Sequence, residues 1–295
     1  MSAAPDGFAL LAGGLWGTSD FVGGTMSRRL RTMHVLAASQ AVSAVLALAL
    51  PVVPGLGSVG PGWLGWSVAA GVAWALAMGA FYTALALGTM GVVAPIASAG
   101  AILPVAVGLL TGERPGLLAL AGTVVTLAGI VAAAGPELDG GGDPAGAGRR
   151  RRAVILAVLA AVLFGVEICC LARGSTASVA MTLVGMRISA LGCTLLALTP
   201  TRRPGRHQLP VVRPVGSDVP GLALLGVLDV GATLAYALAS RTGLMSLVAV
   251  LASSYPAVTV VLARQLHGER LRRVQVAGVV AVLAGAAGIG LAGVA

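Results

Sequence analysis

Between residues 32 and 112 the chain contains no Asp, Glu, Lys or Arg, and this uncharged stretch constrains the fold more than any other feature. One bilayer crossing takes about 20 apolar residues, so a run of 81 residues is far too long for the core of a water-soluble domain. Only 10% of the whole chain is charged, against about 25% in soluble domains. We therefore predict an all-α integral membrane protein.

Gly, Pro and Arg residues divide the apolar sequence into ten predicted transmembrane helices, which we call spans 1 to 10. The Gly-rich segment 136–152 is predicted to be a flexible linker between a first five-helix repeat, residues 1–135, and a second, residues 153–295. The predicted spans lie near residues 7–26, 33–53, 63–87, 91–110, 116–135, 153–172, 179–198, 219–239, 244–263 and 274–294.

A duplicated motif supports this division. Gly112-Glu113-Arg114 recurs as Gly268-Glu269-Arg270 at an offset of 156, and both copies are followed by Ala-Gly and Leu-Ala-Gly at equal spacing. Upstream the offset is 155, where Met90, Ala97 and Ser98 match Met245, Ala252 and Ser253. Because five crossings separate the copies, we expect them on opposite faces of the membrane, as inverted repeats around a cavity.

The arginines give the predicted orientation. Most of them fall in the connections 1–2, 5–6, 7–8 and 9–10, whereas the opposite side holds only Arg114, Arg173 and Arg241. The positive-inside bias places the Arg-rich connections in the cytoplasm and both termini outside. We expect a multi-pass protein of a cell membrane, with the bacterial cytoplasmic membrane favoured.

The same arginines explain the net charge of +9. Since they flank apolar spans, they are expected to meet lipid headgroups, and we predict no nucleic-acid partner. Cys169, Cys170 and Cys193 lie within apolar spans, which indicates neither a disulfide framework nor a metal site. No cofactor is expected, and the chain is predicted to be a monomer or a homodimer in the bilayer.

Four charged residues fall within the predicted spans, namely Asp20, Glu167, Arg187 and Asp229. A charged group at mid-membrane costs about 2.5–3.5 kcal/mol on insertion scales, so each is expected to face protein or a wet cavity. Trp16 precedes Asp20 by four residues, and Phe164 precedes Glu167 by three, which puts ring and carboxylate on one helix face. Either acid is a candidate to carry a coupling proton; the alternative is an acid held by neighbouring groups without a role in transport.

Spans 3 and 8 carry matching stripes at spacing i, i+4, i+7. The stripe of span 3 is apolar and that of span 8 is polar, which predicts a cavity with one apolar and one hydrogen-bonding wall for a substrate. Ordinary helix packing is the alternative, and it is weaker for Asp229 than for Trp74 or Met78. The two stripes are Trp74, Met78 and Phe81, and Asp229, Thr233 and Tyr236.

Glu167 and Arg187 are predicted at similar depths, since they lie roughly six and eight residues from their shared connection. They are expected to pair as a structural clamp; the alternative is that Arg187 holds a substrate carboxylate that competes for Glu167. The coupling or charge-pair group is thus Glu167, Asp229 and Arg187.

Prolines indicate hinges in spans 4 and 9. Pro95 and Pro104 interrupt span 4 and Pro256 interrupts span 9, and broken spans at matching positions of two repeats point to a transporter's binding site. Ser253 and Tyr255 precede Pro256 and are candidate substrate ligands. A simple packing kink is the alternative.

Together, the duplicated five-helix units, the aromatic-Gly pairs of spans 1 and 6 and the Gly-Glu-Arg motifs resemble the drug/metabolite transporter superfamily, EamA branch. The resemblance implies ten helices in inverted halves and a cavity lined mainly by spans 1, 3, 4, 6, 8 and 9. It also implies alternating access, with export or exchange of small metabolites or drug-like molecules, amino acids among them. The family typically has a proline thirteen residues before the Glu; Pro256 fits Glu269, but Gly100 stands before Glu113.

We therefore expect a secondary transporter, coupled either to protons or to substrate exchange, and not an enzyme. The alternative is a membrane-embedded enzyme or a structural membrane partner. An enzyme needs a nucleophile or metal constellation, but the three histidines are scattered and no His-Glu-x-x-His or Gly-x-Ser-x-Gly motif occurs.

Overall fold

The computed structural model describes residues 4–56, 61–88, 90–134, 144–198 and 216–268, and the positions 273–274, 276–278, 280–281, 284–285 and 288. Within these residues the chain is helical with short connections and contains no strand. The eleven helices that we number are α1 Ala4–Ser27, α2 Thr32–Ala47, α3 Leu64–Leu87, α4 Met90–Ser98, α5 Ile102–Leu110, α6 Leu117–Ala134, α7 Pro144–Ala177, α8 Val179–Leu198, α9 Val219–Thr242, α10 Met245–Ala252 and α11 Tyr255–His267.

Helix lengths agree with a membrane protein. In the part of the chain that the structure describes, seven helical stretches are long and apolar enough to cross a bilayer. α1, with Asp20 inside it, is not among them, and α6 contributes only the shorter apolar stretch Leu117–Gly129. Predicted span 10 lies mostly outside the described residues. The seven stretches are Thr32–Val52, Leu64–Leu87, Val92–Leu110, Gly148–Ala177, Val179–Leu198, Gly216–Thr242 and Met245–His267.

One predicted boundary differs from the structure. Residues 136–152 were expected to form a flexible linker, but α7 begins at Pro144, so the last nine residues of that segment are helical. Pro is tolerated in a first helical turn, where its missing N–H has no intrahelical acceptor. Arg149 then donates hydrogen bonds to the carbonyls of Ala86 and Leu87 at the end of α3, which fixes this extension.

Spans 4 and 9 are each interrupted once, and the interruptions correspond. Span 4 is divided into α4 and α5 by a 3-10 turn at Ala99–Ala101, and span 9 into α10 and α11 at Ser253 and Ser254. At the repeat offset of 155, Ser253 matches Ser98, the last residue of α4. Both halves of the chain therefore leave the helical backbone at the same point.

The most extensive packing joins helices from different halves. α3 lies along α7 and α8, and α1 lies along α9 and α11. The α3–α7 and α1–α9 pairs are related by the duplication, because span 3 against span 6 becomes span 8 against span 1 when the halves are exchanged. Close packing is aided by small residues: a Cβ on Gly226 of α9 would lie 2.8 Å from the Cβ of Val42 of α2. The apolar core thus lies mainly between the halves.

The connections form two groups at opposite ends of the bundle. At one end, Arg29 before α2 pairs with Asp218 before α9, and His267 at the end of α11 lies 3.2 Å from the Thr25 hydroxyl of α1. At the other end, the Ala180 N–H donates to the Leu56 carbonyl at 3.0 Å. The first end therefore holds connections 1–2, 7–8 and 9–10 of the predicted spans, and the second end holds connections 2–3 and 6–7.

Glu113 lies at the second end and caps a helix of the other half. Its two carboxylate oxygens accept hydrogen bonds from the backbone N–H groups of Met245 and Ser246, at 2.8 and 3.0 Å. These are the first two residues of α10, whose terminal N–H groups lack intrahelical partners and carry partial positive charge. Gly112, just before Glu113, and the matching Gly268 both have a positive φ, which glycine adopts without strain. Glu269 lies outside the described residues.

Candidate functional site

A cavity opens between the helices where spans 4 and 9 are interrupted. Its described lining is mostly apolar and aromatic, with three carboxylates and two serines, and it comes from spans 1, 3, 4, 6, 8 and 9. These are the six spans that the family resemblance implied. The lining residues are Trp16, Asp20, Trp74, Met78, Ala97, Ser98, Gly100, Ala101, Phe164, Glu167, Ile168, Asp229, Ser253 and Tyr255.

The two predicted stripes reach the cavity only in part. Trp74 and Met78 line it from α3 and Asp229 lines it from α9. The remaining members, Phe81, Thr233 and Tyr236, are fully buried and lie behind the lining. A stripe of seven residues rises by about 10 Å along a helix, so its two ends meet different surroundings.

Aromatic packing accounts for two of these three buried residues. Phe81 makes an edge-to-face contact with Phe164 of α7, with ring centroids 5.6 Å apart, and Tyr236 packs against Trp16 of α1 at 5.7 Å. The two contacts again join matched helices of opposite halves. Phe81 and Tyr236 therefore support the rings of Phe164 and Trp16, which do line the cavity.

Arg187 is buried in a closed cluster beside the cavity and does not line it. Its Nη1 donates to Asp229 Oδ2 at 2.7 Å, and its Nη2 donates to the Asp229 carbonyl at 3.2 Å and to the Thr233 hydroxyl. Gln40 of α2 donates to the same Asp229 Oδ2 at 3.0 Å and accepts from Arg187 at 3.4 Å. The Trp74 ring covers the guanidinium at 5.4 Å. Spans 2, 3, 7 and 8 are thereby held together.

The partner of Arg187 is thus Asp229 rather than Glu167, which corrects the expected Glu167–Arg187 pair. The depth argument placed Glu167 and Arg187 at similar levels, but depth does not determine the direction in which a side chain leaves its helix. Within the described residues Glu167 makes no ion pair, and its Oε1 has no hydrogen-bond partner although only 2% of the residue is exposed. Buried polar atoms in proteins normally have a hydrogen-bond partner, so the unpartnered Glu167 oxygen indicates a role other than holding the helices together.

Asp20 resembles Glu167 more than it resembles Asp229. It is 6% exposed, lines the cavity from α1, and forms no ion pair with a side chain in the described part of the chain. Trp16 one turn before it and Phe164 before Glu167 line the cavity too. The spacing argument that placed ring and acid on one face therefore describes both segments.

The glycines of the two aromatic-Gly pairs allow a close approach to the helix breaks. A Cβ on Gly17 would lie 2.6 Å from the Val258 Cβ, and one on Gly165 would lie 2.8 Å from the Leu103 Cβ. Val258 and Leu103 match at the repeat offset of 155. Each half therefore uses a glycine to seat its first span against the interrupted span of the other half.

The prolines were expected to interrupt spans 4 and 9, but the interruptions lie next to Pro104 and Pro256 and not at Pro95. α4 runs through Pro95, and the interruption follows at Ala99–Ala101, ahead of Pro104 in α5. Pro104 has no N–H to donate to the Gly100 carbonyl four residues earlier, which accounts for a break at this point. Pro256 lies in the first turn of α11, a position that suits proline after a break. The hinge motion itself stays a prediction.

Three residues that shape the site were not among the predicted ligands. Gln40 is the one glutamine of an uncharged stretch, which is a usable signal, since an amide within a span must find a buried partner. Phe164 stands in a motif that the sequence already marks. Ser98 is the repeat partner of Ser253 and lines the cavity as Ser253 does.

Comparison with known proteins agrees with this picture. Residues 151–291 match the EamA-like transporter family. A solved structure described only as "Crystal structure of protein" is similar over 98% of this chain and 96% of its own, with a TM-score of 0.68 and 20% identity. Among curated proteins no match was found.

The matched family is a transporter family, which is consistent with the resemblance to the drug/metabolite transporters that the sequence shows. The similarity to the solved structure covers nearly the whole chain, so the fold of both halves is one that a solved protein shares. The long apolar helices indicate a multi-pass membrane protein, and the cavity is its candidate functional site.

Proposed function

We propose that the protein is a secondary transporter that moves a small metabolite or drug-like molecule across the cytoplasmic membrane by alternating access. The observation that carries this proposal is the cavity, because residues of both halves line it at the level of two matched helix breaks, and two of its carboxylates have no cationic partner in the described chain. Charged groups within a membrane are costly and mark substrate or ion pathways.

Two inverted repeats provide the two states of such a carrier. Three observations support this arrangement here. The breaks of spans 4 and 9 correspond at the repeat offset, the main helix contacts occur in pairs that exchange the two halves, and the connections group at two ends. The interrupted spans, with Pro104 and Pro256 beside the breaks, are the proposed hinges.

Glu167 is the proposed proton carrier. It faces the Arg187–Asp229 pair from α7 and has a free carboxylate oxygen in the cavity, where a substrate and a proton would compete for it. Asp20, across the cavity on α1, is the second acid. The alternative is substrate exchange without net proton movement, and the two are separated by whether a pH gradient alone drives accumulation.

The proposed direction is export, with the Arg-rich connections in the cytoplasm. Arg114 ends the first copy of the duplicated motif and Arg272 lies two residues after the second copy, so the two positions test both the inverted arrangement and the orientation. In a background without Cys169, Cys170 and Cys193, R114C should react with a membrane-impermeant maleimide from outside and R272C only after permeabilisation. Labelling of both from one side contradicts the inverted repeat.

The transport proposal is tested with purified protein. A thermal-shift screen against amino acids, sugars and organic cations identifies a compound that binds, because a ligand specific to the folded state raises the melting temperature. Proteoliposomes loaded with that compound should then accumulate its labelled form by counterflow. Binding without counterflow in protein of verified insertion contradicts a carrier.

A further inference from the structure

The described lining of the cavity contains three acidic side chains and no basic one. Asp20, Glu167 and Asp229 line it, and no Lys, Arg or His does. Asp229 is neutralised by its ion pair with Arg187. The carboxyl groups of Asp20 and Glu167 therefore remain without an ion-pair partner in the described chain.

Arg187 is not available to an anionic ligand. Both terminal nitrogens of its guanidinium already donate, to Asp229, Thr233 and Gln40, and the Trp74 ring lies over the group. The side chain is fully buried. An incoming carboxylate would have to displace Asp229, which would leave that acid buried and unpaired.

Aromatic rings stand beside the uncompensated acids. Trp16 lines the cavity with Asp20 on α1, and Phe164 lines it with Glu167 on α7, while Tyr255 completes the lining at the break of span 9. Ring faces attract cations, and they do so more strongly away from water. Each half thus contributes aromatic rings and one carboxyl group without an ion pair, which together suit an organic cation with an apolar body.

Two polar atoms of this lining lack partners. Glu167 Oε1 and the Tyr255 hydroxyl are buried and have no hydrogen-bond partner among the described residues. Their residues are 2% and 8% exposed. A protonated amine offers N–H donors to both oxygens, so such a ligand satisfies atoms that the fold leaves unsatisfied.

We propose that the cavity binds an organic cation, a protonated amine or quaternary ammonium joined to an apolar or aromatic body. This inference rests on the proposed transport function and names the substrate class of the same site. It also separates amines from amino acids, because the carboxylate of an amino acid finds no unpaired cationic side chain in the described lining.

The test compares ligands of one shape and different charge. Purified full-length protein in detergent is titrated with phenethylamine, phenylalanine and 3-phenylpropionate, and separately with phenethyltrimethylammonium and tetraphenylphosphonium. Melting temperature and intrinsic tryptophan fluorescence report binding. We expect the cations to bind at least about tenfold more tightly than phenylalanine and 3-phenylpropionate.

Variants locate the binding. E167Q and D20N should each weaken cation binding by about tenfold or more, while E167D should retain most of it. The matched control is D6N, which makes the same chemical change as D20N on the same helix but outside the lining. Size-exclusion profiles and melting temperatures of the ligand-free variants exclude misfolding as the cause.

The outcomes are separable from those of the transport test. If no cation binds more tightly than the anion or the amino acid of the same shape, or if E167Q and D20N bind cations as well as D6N does, the proposal is wrong. Counterflow of an anion or an amino acid would contradict the substrate class and leave the transporter intact. A cation that binds at these acids without counterflow supports the site and contradicts the transport function.

Discussion

Asp229 and Glu167 line the same cavity and are almost equally buried, yet the protein treats the two acids differently. Asp229 accepts from Arg187 and Gln40 and belongs to a cluster that joins four spans. Glu167 keeps an oxygen without any partner in the described chain. The difference separates two uses of charge in a membrane, because a paired charge holds helices together whereas an unpaired one is kept for a ligand or a proton.

The largest effect on stability is expected from a change to the Arg187–Asp229 ion pair. R187M should lower the free energy of unfolding by about 3–5 kcal/mol, because removal of one partner leaves Asp229 charged and buried. Unfolding of the detergent-solubilised protein, followed by circular dichroism, measures this.

A second variant decides whether the loss comes from the orphaned charge. R187M combined with D229L should recover most of the stability, since a buried ion pair is often replaceable by apolar groups. A double variant as unstable as R187M alone would show that the pair is not the source of the effect.

Gln40 should matter less, because it is a neutral member of the same cluster. Q40L removes a donor to Asp229 and an acceptor of Arg187, which should cost about 1–3 kcal/mol through the polar atoms left unsatisfied. S39A is the control on the same helix, because the one hydrogen bond of the Ser39 hydroxyl within the described residues goes to the Leu36 carbonyl of its own helix. Equal losses in the two variants would deny Gln40 a place in the cluster.

Glu113 offers a third kind of paired acid, held by backbone N–H groups alone. E113Q keeps an amide oxygen but loses the charge that complements the N-terminus of α10, so a loss of about 1 kcal/mol is expected. R114Q is the neighbouring control and should change stability by less than about 0.5 kcal/mol, since Arg114 is exposed. The melting temperatures of both variants check this.

The smallest effect on stability is expected at the unpaired acid. E167Q removes no ion pair and lowers the cost of keeping a charge out of water, so unfolding should change by less than about 1 kcal/mol. If E167Q is destabilised as strongly as R187M, then Glu167 is structural and the contrast between the two acids disappears.

Much of the architecture follows from the sequence. Apolar stretches divided by Gly, Pro and Arg predicted span 7 at residues 179–198 and span 3 at 63–87, close to α8 Val179–Leu198 and α3 Leu64–Leu87. The prolines predicted that spans 4 and 9 are interrupted, and the repeat relates the two spans. These features are local or depend on the comparison of two segments, so one chain contains the information.

The pairing of the buried charged side chains could not be predicted from the sequence. Sequence gives the depth of Arg187 and Glu167 in their spans but not the rotation of each helix about its axis, and rotation decides that Arg187 meets Asp229. Phe81 and Tyr236 share stripes with Trp74 and Asp229 but lie behind the cavity. Which turn of a stripe reaches a cavity depends on how the halves pack, and a single helix does not record that.

The most direct test of the account is transport by E167Q in proteoliposomes, with counterflow and proton-driven accumulation measured on the same preparation. If the unpaired acid carries the coupling proton, E167Q should keep counterflow at substrate concentrations that saturate its weakened site, and it should lose accumulation driven by a pH gradient. Accumulation by E167Q at the level of the unaltered protein would contradict the assignment of Glu167 to proton coupling.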